Sequence, residues 1–177
     1  MRFRTLVVVG LVAGPGALPA QDTRSAMGDV GSVKAIYDIA KGYLTRAAEQ
    51  MPEENYSFKP TPDVRSFGQL VGHVANASYL FCSGIKGEQN PQTGDFEKTT
   101  AKAALVQALK DAFAYCDGAY QITDTKATEE VSFFGSMKGS KLWALTLNAA
   151  HDWEHYGNVV TYLRLKGLVP PSSQGGM

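Results

Sequence analysis

Four stretches of this chain carry apolar residues at helical spacing, and the segments between them are too polar or too rich in proline and glycine to continue a helix. Val33, Ile36, Tyr37, Ala40, Tyr43, Leu44, Ala47 and Met51 predict a first helix from about Gly31 to Met51, closed by Pro52. Pro52, Pro60 and Pro62 make 52–65 an extended loop. Ser66 opens the second helix: Ser66-Phe67-Gly68-Gln69 fits a capping box, in which a serine and a glutamine satisfy two orphan backbone donors reciprocally. Phe67, Leu70, Val71, Val74, Ala77, Leu80 and Phe81 line its apolar side to about Lys86, where Gly84 and Gly87 mark the end. A third helix is expected over about Thr100 to Tyr120, from Ala104, Leu105, Ala108, Leu109, Ala112, Phe113 and Cys116. The fourth runs from about Ser140 to Lys166 on Leu142, Leu145, Ala149, Tyr156, Val159, Tyr162 and Leu163. Gly167 suits a left-handed cap, and Pro170-Pro171 stops the helix. Four amphipathic helices of this length make an all-α four-helix bundle the expected fold. The linking segments 52–65, 87–99 and 121–139 are long enough for crossover connections. Within 121–139 the apolar island Val131 to Phe134 reads as a short strand or as a lid over the bundle end.

The N-terminus stands apart from this pattern. Arg2 and Arg4 precede a short apolar run, Leu6 to Ala13, and then small and helix-breaking residues ending Ala17-Leu18-Pro19-Ala20. That order is a secretory signal peptide over 1–20, cut after Ala20, and the apolar run is too short to span a bilayer. Residues 21–29 read as a linker, 30–172 as the bundle domain and 173–177 as a flexible tail. Removing 1–20 leaves 15 basic against 17 acidic residues, a net charge of −2. Nucleic acid is therefore not an expected partner, and no stable membrane anchor is expected. The expected location is secreted or periplasmic. The partner envisaged is a small-molecule substrate, with a homodimer as the assembly.

The chemistry concentrates in three histidines, all the chain has. His151 and His155 sit four apart, on one face of the fourth helix, and His73 lies in the middle of the second. Two imidazoles one helical turn apart can share a metal ion, and a third completes a zinc-type site with one position left for water or substrate. Two look-alike motifs fail. His151-x-x-Glu154-His155 matches the pattern of inverted zinc peptidases, but no acidic residue follows Glu154 to complete it; the other order, H-E-x-x-H, fails because residue 152 is Asp. The third ligand must then come from upstream, which is where His73 stands. Asn76, Asn148 and Asn158 lie about a turn from these histidines and read either as partners of the second imidazole nitrogens or as ordinary polar positions. Asp152 and Glu154 could act as bases, but both flank the ligand face and are expected in solvent. Cys82 and Cys116, the chain's two cysteines, each sit toward the C-terminal end of a helix. In an exported protein they read as a disulfide, which parallel second and third helices would allow, or else as two buried thiols.

Two segments carry a family resemblance. Ser66-Phe67-Gly68-Gln69-Leu70-Val71-Gly72-His73-Val74-Ala75 resembles the second-helix motif of the DinB-like (YfiT-like) metalloenzymes. Ala149-Ala150-His151-Asp152-Trp153-Glu154-His155-Tyr156-Gly157-Asn158 resembles their fourth-helix motif, and Tyr162-Leu163-Arg164 and 167–172 extend it. The likeness covers roughly residues 30–172. It implies a four-helix bundle with a divalent metal, zinc or nickel, held by His73, His151 and His155. Some relatives transfer or isomerise substrates through a low-molecular-weight thiol bound at the metal. Those thiols are cytosolic, and a signal peptide departs from that setting. The signal peptide and the resemblance together lead to the expectation of an exported metalloprotein with hydrolase-like or transferase-like chemistry. The alternative is a non-catalytic metal-binding, ligand-binding or stress-associated bundle.

Overall fold

A computed structural model describes residues 27–133 and 137–175 of the chain. The expected signal peptide, most of the expected linker and the last two residues lie outside the described residues. Four long helices form the body: α1 (Gly28–Gln50), α2 (Phe67–Lys86), α3 (Lys102–Ala119) and, after a short α4 (Asp124–Ala127), α5 (Lys141–Leu165). The all-α bundle expected from the apolar spacing is the fold observed.

Contacts along the helices fix their directions. On α1 and α5, Ile36 meets Trp153, Tyr43 meets Tyr156 and Gln50 meets Val169 beyond the helix end, so the two run parallel. On α2 and α5 the order reverses, with Phe81 beside His151 and Phe67 beside Tyr162. A Cβ added at Gly68 would touch Leu105, and the disulfide between Cys82 and Cys116 joins the far ends, so α2 and α3 also run parallel. Parallel neighbours need a crossover, and the segment between Lys86 and Lys102 supplies it. A 3-10 turn, Phe96–Lys98, lies at its centre and packs on α2. This close approach explains Gly72. A side chain there would run into the Phe96 carbonyl and stand 2.8 Å from the Glu97 backbone nitrogen.

The helix ends show what sequence spacing sees and what it misses. At α2 both bonds of the capping box form, and Gly87 takes the left-handed cap with φ 71°. By contrast α1 starts three residues earlier than apolar spacing predicts, so Gly28 and Asp29 belong to the helix and not to a linker. Met27 gives no side-chain cap; the Asp124 carboxylate accepts from the backbone N–H groups of Asp29 (3.2 Å) and Val30 (2.9 Å) instead. A cap borrowed from 94 residues away leaves no local trace. The apolar island becomes strand β1 (Glu130–Phe133), paired antiparallel with β2 (Met137–Ser140). Phe134 lies outside the described residues. Ile36 and Leu80, placed on apolar faces by their spacing, are exposed. The tail is held in part, since Ser172 exchanges hydrogen bonds of 2.8 Å with the Tyr156 hydroxyl and Gln174 donates to Gln50. No helix among the described residues is long and apolar enough to cross a membrane.

Candidate metal centre

The antiparallel seam between α2 and α5 brings the three histidines together. Nε2 of His151 lies 3.3 Å from Nε2 of His73 and 3.0 Å from Nε2 of His155. One ligand atom from each of the three falls within 4.8 Å of the others. Nitrogens about 2.0–2.1 Å from a tetrahedral zinc stand about 3.3 Å apart, so the observed spacing suits a metal with little adjustment. His155 is buried, and His73 and His151 are half-buried. Burial first, then the neighbouring histidines and Arg65, pushes the pKa of His151 down to about 3. Burial, with His73 next, also lowers that of His155. Both imidazoles are therefore neutral at pH 7, the state in which they can ligate.

The crossover sets the orientation of His73. Its Nδ1 lies 2.7 Å from Oε1 of Glu97. A carboxylate there accepts the Nδ1 proton and turns the Nε2 lone pair toward the other two rings, the arrangement that positions a metal-binding histidine. Burial would raise the pKa of Glu97, but hydrogen bonds from Arg65 and His73 hold it below the usual carboxylate range. Arg65 Nε donates to Glu97 Oε2 at 2.9 Å. Glu97 is the functional residue that the sequence pattern misses. Three acids stand in 87–99, namely Glu88, Asp95 and Glu97, and nothing in their spacing singles out the one that reaches His73.

The three asparagines have different places. Asn76 bonds the crossover and not a histidine among the described residues: its Oδ1 accepts from Phe96 N (3.0 Å) and Gln92 Nε2 (2.7 Å), and its Nδ2 donates to Asp95 (2.8 Å). Thus it holds the turn that carries Glu97. Asn148 faces the core and donates to the Tyr120 hydroxyl at 3.0 Å. Asn158 stands 3.5 Å from Nδ1 of His155, at the outer limit of a hydrogen bond. Nδ1 of His151 has no partner among the described residues.

Asp152 corrects the sequence reading. It is not in solvent but fully buried, on the side of α5 that also buries Asn148, Tyr156 and Val159. Neither carboxylate oxygen has a hydrogen-bond partner among the described residues, and burial drives its pKa well above the ordinary value. Glu154 is exposed, as expected.

Beside the histidines opens a cleft of about 810 Å³. Its walls include Lys59 and Arg65 from the proline-rich loop, Glu97 from the crossover, and Glu154, His155 and Asn158 from α5. His155 belongs to both the metal centre and the cleft, so a molecule in the cleft has direct access to the ligand cluster.

The family model described as the DinB superfamily matches residues 36–159. The chain belongs to the DinB superfamily. The matched stretch includes the three histidines that converge at the α2/α5 seam. The uncharacterized protein YjoA of Bacillus subtilis (strain 168) is 28% identical over 127 residues, 68% of this chain and 79% of that protein. Among solved structures, a DinB-like protein from Bacillus cereus matches with TM-score 0.70 at 18% identity, covering 82% of this chain and 95% of that one. The structure of YjoA matches with TM-score 0.64 at 23% identity, covering 81% and 99%. A mycothiol-dependent maleylpyruvate isomerase matches with TM-score 0.60 at 13% identity, covering 76% of this chain and 65% of that protein. At such identities these structures share the fold with this DinB chain.

Proposed function

We propose that this protein is an exported metalloenzyme that holds one divalent ion, zinc or nickel, between His73, His151 and His155. Its reaction is hydrolase-like or transferase-like, on a small molecule bound in the adjoining cleft. The observation that carries this reading is the convergence of three imidazole nitrogens at a point that opens, through His155, onto the cleft. Nitrogen donors of this kind suit both metals. A bound ion would act as a Lewis acid toward a polarisable substrate oxygen. The chain's own residues do the rest. Glu97 holds His73 in the ligating tautomer, Asn76 steadies the turn that carries Glu97, and the cleft walls orient the substrate. The fold shared with an enzyme named as a mycothiol-dependent isomerase supports catalysis over passive binding.

The test is metal binding by the purified protein. Wild type is expected to take up one zinc or nickel ion. His73→Ala should lower the affinity by about 100-fold or more while leaving the helical circular dichroism unchanged, because the apolar faces of the bundle do not use that side chain. Equal affinity in His73→Ala and wild type would remove the three-histidine site. Export is supported by the charged, apolar, small order of residues 1–20 and by the Cys82–Cys116 disulfide, a bond that persists in oxidising compartments. Mass spectrometry of protein from its native host should find an N-terminus near Gln21. An intact Met1 on cytosolic protein would contradict it.

A further inference from the structure

The cleft holds two cations that a metal site by itself does not explain. Arg65 stands beside the ligand cluster: its Nε lies 2.9 Å from the Glu97 carboxylate whose other oxygen is 2.7 Å from Nδ1 of His73, and it lines one cleft with His155. A guanidinium so placed opposes a divalent ion. Glu97 offsets that charge but uses little of the guanidinium. It takes one firm bond from Nε at 2.9 Å and a long one from Nη2 at 3.5 Å. Arginine has five N–H donors in a planar fork. The remaining ones belong to a side chain that is 43% exposed and lines the cleft. Arg65 is also held at its backbone and at its head group. The Tyr162 hydroxyl donates to the Arg65 carbonyl at 2.6 Å, while Glu97 holds the head group. Lys59, exposed on the same wall, has no ion-pair partner among the described residues.

Helix α2 begins just after Arg65, but its backbone does not compete for an anion. The N–H of Phe67 bonds Phe58, that of Gly68 bonds Tyr56, and that of Gln69 bonds the Ser66 hydroxyl. An anion here must be read by side chains. The cleft is not a general basic surface either, because Asp63 and Glu154 also line it. That balance disfavours a polyanion and suits one small anionic group presented to a pair of cations.

We propose that Arg65 and Lys59 form the recognition subsite for a carboxylate on the small-molecule substrate, which places the rest of that molecule against the metal centre. This rests on the reading of the histidines as a metal centre. It also gives the cation beside them a role: it is opposed to the ion alone and favourable once an anionic ligand is present. Arg is suited to this because its fork matches a carboxylate in two-point contact.

The experiment titrates succinate, and separately inorganic phosphate, into metal-free and zinc-loaded protein by calorimetry, with zinc affinity measured on the same samples. Wild type should bind succinate in both forms, more tightly when loaded. Lys59→Met should weaken it by about three- to tenfold and Arg65→Gln by about tenfold or more. Zinc affinity should be unchanged in Lys59→Met, so a lost subsite cannot be confused with a lost metal. No succinate binding to wild type, or equal binding by both variants, overturns the proposal. Phosphate binding that depends on Arg65 and Lys59 without succinate binding overturns the carboxylate assignment. If wild type fails to bind zinc, the metal reading falls, and the metal-free titration still decides the subsite.

Discussion

Helix α5 buries polar side chains on two sides, and the two sides differ in kind. Toward α2 it presents His151 and His155, whose nitrogens converge with that of His73 and open onto a cleft. Toward the core it presents Asn148 and Asp152. There Asn148 bonds Tyr120 through its amide nitrogen only, its oxygen has no partner among the described residues, and neither do both oxygens of Asp152. Both sides carry groups that are costly to bury. On the first, the groups aim at a point they share with His73, which Glu97 orients from outside, and His155 opens onto the cleft. On the second, both groups are fully buried and do not converge: Asn148 is tied to Tyr120, and the Asp152 carboxyl has no hydrogen-bond partner among the described residues. Polar groups inside a bundle mark a site when their geometry converges, not when they are merely numerous.

The comparison breaks first at Glu97. Glu97→Gln keeps the size of the side chain and removes the charge that holds the Nδ1 proton of His73. Zinc affinity should fall by about 10- to 100-fold, the range for such supporting carboxylates. Stability should change little, because the Arg65–Glu97 pair is partly exposed and such pairs contribute little. Competition with a coloured chelator measures the first and thermal unfolding the second. Unchanged zinc affinity would mean that the crossover is no part of the site.

That prediction could not have been written from the sequence, although most of the bundle could. The helices, the Ser66–Gln69 capping box and the left-handed cap at Gly87 depend on residues within a few positions of each other, so their spacing displays them. The histidines are legible for a similar reason: two are one turn apart, and the third is the sole remaining candidate. What is hidden depends on the path of the chain. Glu97 reaches His73 across 24 residues, and Asp124 caps α1 across 94. Gly72 is required only because the crossover backbone passes over it. Asp152 misleads for the opposite reason. An aspartate beside two metal-ligand positions is expected in solvent, but a helix packed on both α1 and α2 has little solvent face to offer at that point.

The smaller effect lies on the core side. Burial raises the pKa of the Asp152 carboxyl well above its ordinary value in the folded state, so the folded protein keeps that proton to higher pH than the unfolded chain, which loses it above about pH 4. Between about pH 4 and the raised folded value, the folded state binds more protons, so this residue's contribution to stability is present in acid and lost as pH rises. His151 works in the reverse sense. Its folded pKa is about 3, so below about pH 6.5 the unfolded chain takes a proton that the metal-free folded protein refuses, and stability falls as pH falls toward 3. Adjacent residues on the two sides of one helix thus tilt stability in opposite directions. Asp152→Asn keeps the shape and cannot ionise, so it should stabilise the metal-free protein at pH 8, by about 1.4 kcal/mol for each pH unit over which the folded protein keeps a proton that the unfolded chain has lost. The difference in unfolding midpoint between variant and wild type should shrink steadily toward pH 4, because both side chains are then neutral. Zinc affinity at pH 7 should not move, since Asp152 faces away from the ligand cluster. A stabilisation that stays constant from pH 4 to pH 8 would assign the effect to packing and leave the core carboxyl without a role in the protein's pH response.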